Sequence, residues 1–179
     1  DKKTLYVTYD LTQELKQGKN AFGVILGNGW YNIQSHATWN FHNAVWRNRP
    51  TFILNIRVEY ESGKTDWIVS DESWKTSTGA IRFNNLYSGE YYDAGMEPDG
   101  WNRTGCDAKK WNQAKPVECP SENIIAQSIP PIRIKEEIKA VSYKRLGPNH
   151  YVYDLGRNIA GVCRFTAQGE KKTKIRIKH

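Results

Sequence analysis

The strict alternation between Phe52 and Tyr60 limits the fold of this chain more than any other feature. Phe52, Leu54, Ile56, Val58 and Tyr60 fall on one side and Ile53, Asn55, Arg57 and Glu59 on the other, the two-residue period of a half-buried strand. Ser62-Gly63-Lys64 then reverses the chain into Asp66 to Ser70, so the spacing predicts a hairpin. Leu5, Val7 and Tyr9 repeat the pattern near the start, and further strands are expected near Ile132 to Val141, Tyr151 to Leu155, Val162 to Ala167 and Ile175 to Lys178. Only Leu11 to Gln17, between Asp10 and Gly18, suits a short helical turn. The pattern predicts an all-β chain, an antiparallel β-sandwich or jelly roll, with 179 residues enough for one such domain and part of another.

The division is expected at Pro130-Pro131, a stiff extended element. Residues 1–131 would form the first sandwich, and 132–179 a linker with the start of a second β-sandwich. Charge follows the same division. From Ile132 onward twelve Lys/Arg face four acids, whereas the earlier part has fourteen against fifteen. In 171–178 the basic residues alternate with Ile175 and Ile177, which describes the solvated face of a half-buried strand better than a nucleic-acid stripe. No apolar stretch is long enough to span a bilayer, so neither nucleic acid nor membrane is an expected partner.

Residues 23–31, Gly-Val-Ile-Leu-Gly-Asn-Gly-Trp-Tyr, read as a short buried strand ending in a turn that displays two aromatics. Gly27 and Gly29 allow close backbone approach, which would leave Asn28 with a free amide beside Trp30 and Tyr31. Flat amphipathic rings next to amide and carboxylate groups suit the apolar face and hydroxyls of a sugar, and the chain is rich in Trp and Tyr. The alternative is a core Trp30 over a tight turn. Residues 31–50 lack a clean period and read as a long loop, where Trp39 and Trp46 are the best exposed candidates of the remaining tryptophans and His36 and His42 lack a third metal ligand.

Glycoside hydrolysis needs two carboxylates facing each other, about 5 Å apart for retention or roughly 6.5–9.5 Å for inversion. Glu90 and Asp93 are the tempting pair, but a strand would turn them to opposite faces, and a loop-fixing carboxylate beside a solvated or calcium-binding one is the better reading. No catalytic residue is assigned. Cys106 and Cys119 could pair in an exported protein, while Cys163 sits in an apolar pattern and is expected in the core. Asp154 to Asn158 reads as a structural turn, with no partner identifiable for Arg157.

The residues also resemble a known family. Thr8-Tyr9-Asp10-Leu11-Thr12, the 23–31 run, Tyr87-Ser88-Gly89-Glu90-Tyr91-Tyr92-Asp93-Ala94, Gly100-Trp101, Trp111, Ala126-Gln127 with Pro130-Pro131-Ile132-Arg133, and Val152 to Gly161 occur in this order. That series is similar to the N-terminal region of bacterial α-L-rhamnosidases, family 78 glycoside hydrolases. The resemblance implies an accessory β-sandwich related to family 67 carbohydrate-binding modules, in a fragment trimmed at both ends. The catalytic carboxylates would lie in an inverting α/α barrel downstream. It further implies a rhamnose-containing carbohydrate and the remaining domains of the parent enzyme as partners, and favours a periplasmic or extracellular setting while leaving a cytoplasmic one open. The site residues expected are Asn28, Trp30, Tyr31, Glu90 and Asp93. No cofactor is required, but related modules bind calcium beside the sugar, which makes Asp1 and Asp93 the candidate metal ligands; Asp1 would be the acid of an acid-amide pair in which Lys2 replaces the amide.

Overall fold

The structure, a computed structural model, describes residues 3–36 and 39–178. The described residues form ten strands: β1 (Thr4–Tyr6), β2 (Asn55–Glu59), β3 (Thr65–Val69), β4 (Lys75–Thr76), β5 (Ile81–Asn85), β6 (Gly89–Tyr92), β7 (Asn112–Gln113), β8 (Ile124–Ala126), β9 (Ser142–Gly147) and β10 (His150–Asp154). Two single-turn 3-10 helices, Phe41–Asn43 and Ala94–Met96, complete the regular structure, and no α-helix occurs among the described residues. The fold is all-β. The strands form five two-stranded ladders, four of them antiparallel. The fifth joins β1 to β8 in parallel, with Thr4 opposite Ile124 and Tyr6 opposite Ala126. Two compact units divide between Ser128 and Ile129, and no helix of the described residues is long and apolar enough to cross a membrane.

In the first unit the predicted hairpin is present as β2–β3, in register from Asn55 opposite Val69 to Glu59 opposite Thr65. Gly63 takes a φ of 80° and donates its N–H to the Tyr60 carbonyl at 2.8 Å, closing the turn at the glycine that tolerates it. The period of two carries through to burial: Ile56 is buried and Leu54 and Val58 half-buried, while Asn55, Arg57 and Glu59 are exposed. The expected turn after Asp10 is a single one, with the Leu15 N–H reaching the Leu11 carbonyl at 3.2 Å. Ile33, Ile56 and Ala80 are the buried apolar residues among those described, and Ile33 alone is wholly enclosed.

Several expected strands are absent from the described residues. Residues 23–26 carry no regular structure, and Val24, Ile25 and Leu26 are exposed rather than buried. What fixes this run is close contact of its backbone with a ring: a Cβ on Gly23 would overlap the six-membered ring of Trp101, whose indole N–H is held by Glu97 Oε1 at 2.7 Å. The first strand stops at Tyr6, before Val7 and Tyr9.

In the second unit, residues 132–141 form no strand and the ladder begins instead at Ser142, pairing with β10. Tyr143 stands opposite Tyr153, with ring centroids 5.9 Å apart, and the Val141 N–H extends the pairing to the Asp154 carbonyl at 2.8 Å. Residues 162–167 and 175–178 carry no ladder, so Ile175 and Ile177 are exposed together with their basic neighbours. Cys163, expected in the core, is exposed for the same reason. The Asp154 turn is as read: Asp154 Oδ1 accepts from the Gly156 N–H at 2.8 Å and Gly156 has a φ of 75°. Arg157 does have a partner, the carboxylate of Glu136, and Arg164 pairs with Glu137 at 2.7 Å.

Candidate functional site

The site is assembled on a hairpin that the sequence reading did not resolve. β5 and β6 pair from Ile81 opposite Tyr92 to Asn85 opposite Gly89, and the buried Asn85 holds the reversal. Its Oδ1 accepts the Tyr87 N–H at 2.9 Å, the Ser88 N–H at 3.0 Å and the Ser35 hydroxyl at 3.3 Å. An Asn side chain here replaces a backbone carbonyl, as in an Asx turn, and Gly89 absorbs the bend with a φ of 82°.

Asn28 locks onto the neighbouring strand position. Its backbone N–H donates to Asn84 Oδ1 at 2.8 Å, and its side-chain Nδ2 donates to the Asn84 carbonyl at 3.1 Å. The Asn28 Oδ1 accepts from Asn32 Nδ2 at 2.7 Å, and Asn32 Oδ1 accepts from Arg47 at 3.3 Å. The amide expected to stand free is therefore engaged at both ends. The reason is local: Gly29, with a φ of 51°, starts a tight turn rather than continuing a strand, so Asn28 folds back over the hairpin.

That turn presents Trp30 on the hairpin tip, 45% exposed, edge-on to Tyr87 at 5.7 Å and to Phe41 at 5.5 Å. It is thus neither fully core nor free. Tyr31 is half-buried, and its carbonyl accepts from the Asn48 N–H at 3.2 Å. Glu90 is exposed on β6 directly opposite Asn84, so the residue that clamps Asn28 has Glu90 as its cross-strand neighbour. Asp93 lies just beyond the strand. Its Oδ1 caps the Ala94–Met96 turn through the Gly95 N–H at 3.0 Å, a loop-fixing carboxylate. Asn28, Trp30 and Glu90 are thus gathered around one hairpin, Tyr31 is tied through its backbone to the following loop, and Asp93 fixes the far end of β6.

No group of three or more His, Cys, Asp or Glu suited to an ion occurs among the described residues, and Asp1 lies outside them. Asp93 has one oxygen engaged in its turn, and calcium takes six to eight oxygens. Cys106 and Cys119 are unbridged, and the Cys119 thiol donates to the Ser121 carbonyl at 2.8 Å. An open groove elsewhere on this unit, lined by Arg49, Glu72, Asn112 and Lys115 among others, contains none of these site residues.

The loop that follows Trp30 holds two histidines whose rings lie 3.9 Å apart. His42 Nδ1 is enclosed without a hydrogen-bond partner. That enclosure, with His36 and Arg47 adding like charge, holds the His42 imidazole below its ordinary value of 6.5. The unfolded chain takes up this proton more readily than the folded one. Stability contributed here is therefore present above the unfolded value and lost as pH falls through the lower folded one. A titration of the histidine ring protons is expected to give His42 a midpoint below 6.5; a midpoint at or above 6.5 would contradict the enclosure.

The geometry thus amounts to an aromatic corner on a β-hairpin of an all-β unit, with amide and carboxylate groups on the same hairpin. Comparison with known proteins is more specific. Residues 1–136 match the α-L-rhamnosidase N-terminal domain, and residues 144–179 match the bacterial α-L-rhamnosidase concanavalin-like domain. The chain belongs to the family of α-L-rhamnosidase N-terminal domains. It is 36% identical over 188 residues to an α-L-rhamnosidase of Formosa agariphila, covering 99% of this chain and 19% of that protein. It is 32% identical to an α-L-rhamnosidase of Streptomyces avermitilis, covering 99% of this chain and 17% of the other.

Among solved structures, the α-L-rhamnosidase from Dictyoglumus thermophilum superposes with a TM-score of 0.75 at 41% identity, over 87% of this chain and 16% of that one. The Streptomyces avermitilis α-L-rhamnosidase complexed with L-rhamnose gives 0.73 at 31% identity, over 88% and 15%. These neighbours accord with a β-sandwich architecture. The chain spans less than a fifth of the length of these relatives.

Proposed function

We propose that this chain is a non-catalytic accessory region of an α-L-rhamnosidase of glycoside hydrolase family 78, related to family 67 carbohydrate-binding modules, and that it contacts a rhamnose-containing glycan at the Asn28–Trp30 corner. The parent enzyme would remove terminal α-L-rhamnose with carboxylates outside this chain. Residues 1–131 form the binding unit in this reading, and 132–179 lead into the following sandwich.

The observation that carries the proposal is the double hydrogen bond from Asn28 to Asn84, which sets Trp30 on the hairpin tip with part of its ring in solvent. A ring so held is pre-organised to stack on a sugar at little entropic cost. Glu90 supplies acceptors for hydroxyls next to it, and Asn28 acts by positioning rather than by its own amide. Binding in this form needs no ion. Calorimetry with L-rhamnose is expected to give heat that survives a chelator and that Trp30→Ala removes. Heat that appears only with calcium would shift the site toward Asp1 and Asp93, and heat unchanged by Trp30→Ala would remove the proposal.

A second reading, bracing of the catalytic part, is favoured by one observation in the second unit: Ile132, Ile134 and Val162 are almost wholly exposed. Apolar residues in that number suit packing against further parts of a parent enzyme. Both roles can reside in one chain, since they use different units.

A further inference from the structure

Phe41 is the hub of an aromatic array. Its ring lies 5.5 Å from Trp30, 5.9 Å from Trp39 and 6.1 Å from Trp46, the first two nearly perpendicular to it. Trp39 is 80% exposed, and Trp46 is exposed as well. Trp39 and Asn40 have φ of 42° and 57°, two successive residues in the left-handed region that side chains other than glycine enter at a cost. That backbone turns Trp39 onto the edge of Phe41 yet leaves its face in solvent, so the cost is not repaid by burial. Elsewhere in the unit, Trp74 donates its indole N–H to the Val69 carbonyl at 3.2 Å and Trp101 donates to Glu97. Trp39 and Trp46 donate to no described residue. An exposed indole face whose N–H has no partner among the described residues, one ring away from Trp30, has the chemistry to receive a second sugar: the apolar C–H face stacks and a hydroxyl accepts from the N–H.

We infer that Trp39, steadied by Phe41 and flanked by Trp46, is a second stacking subsite, and that the ligand is an oligosaccharide whose terminal rhamnose stands at Trp30 while its next sugar ring lies on Trp39. The inference rests on the carbohydrate reading above. It is tested in the full-length protein by calorimetry with L-rhamnose and with a rhamnose-terminated disaccharide, comparing wild type, Trp30→Ala, Trp39→Ala and Trp39→Tyr. Trp39→Ala is expected to weaken the disaccharide about tenfold, the size of one stacking contact, and to leave L-rhamnose within about twofold. Trp39→Tyr, which keeps a ring, is expected to restore most of the loss. If Trp39→Ala changes neither sugar, or weakens both equally, the subsite is overturned while the Trp30 reading stands on its own response to Trp30→Ala. If neither sugar responds to either alanine variant, both are overturned. A disaccharide loss in Trp39→Ala that Trp39→Tyr restores, with Trp30→Ala silent, would overturn the placement of the terminal rhamnose at Trp30.

Discussion

Replacing Ile33 with Ala is expected to lower the unfolding free energy by about 2–5 kcal/mol, among the largest effects of any single apolar truncation in this chain. Ile33 has no exposed surface, and the other buried apolar residues among those described are Ile56 and the small Ala80. It directly follows Asn32, and its N–H donates to the Trp30 carbonyl at 3.3 Å, so the cavity opens beneath the turn that carries the aromatic corner. The loss adds a transfer term for the removed methyl and methylene groups to a cavity term that the short ladders nearby can only partly relax. Urea unfolding followed by tryptophan fluorescence reads the effect as a lower midpoint at unchanged slope. Val at the same position is expected to cost about 0.5–1.5 kcal/mol, and a cost for Ala no larger than that would mean the site is not enclosed.

Asn28→Ala is expected to cost about 2–3 kcal/mol, and by a different route. The substitution keeps the backbone bond to Asn84 Oδ1 but removes the side-chain bond to the Asn84 carbonyl and the acceptor for Asn32 Nδ2. Asn32 is buried, so its amide loses a partner that water cannot replace, and an unsatisfied buried polar group costs about 1–3 kcal/mol in addition to the net value of the lost bond. The Trp30 turn then loses its anchor. Asn28→Ala should therefore weaken sugar binding as well as stability, whereas Trp30→Ala should remove binding with a smaller effect on stability. Equal stability for Asn28→Ala and wild type would mean that the Asn28–Asn32–Arg47 chain carries no weight.

What the sequence makes legible here depends on how local each signal is. β2 and β3 are readable because alternation, turn glycine and pairing partner all lie within twenty residues, and burial follows the same period. β1 is readable only as a short apolar alternation, since its partner β8 is more than one hundred residues away and pairs in parallel. β5 and β6 escape notice because their reversal is held by the Asn85 side chain, not by a two-residue glycine turn. Residues 23–26, 162–167 and 175–178 have strand-like composition but no strand beside them among the described residues, and composition without a ladder does not make a strand.

The site divides in the same way. Asn28 and Trp30 are picked out by the glycines around them, and Trp39 and Trp46 by the irregular loop. Asn84 carries no such mark, because a hydrogen bond across 56 residues leaves nothing periodic in the chain. The same holds for Glu136 as the partner of Arg157. The sequence suggests one loop-fixing carboxylate of the Glu90–Asp93 pair, and the Asp-Ala-Gly spacing marks it as Asp93, where an Asx oxygen reaches the N–H two residues on.

The most direct measurement is a crystal structure of the protein with L-rhamnose. The account predicts a sugar ring stacked on the exposed part of Trp30, with Glu90 within hydrogen-bonding distance of a hydroxyl and Asn28 still bonded to Asn84. A structure in which the Trp30 ring is covered by other protein, and the sugar binds only outside residues 1–131, would contradict it.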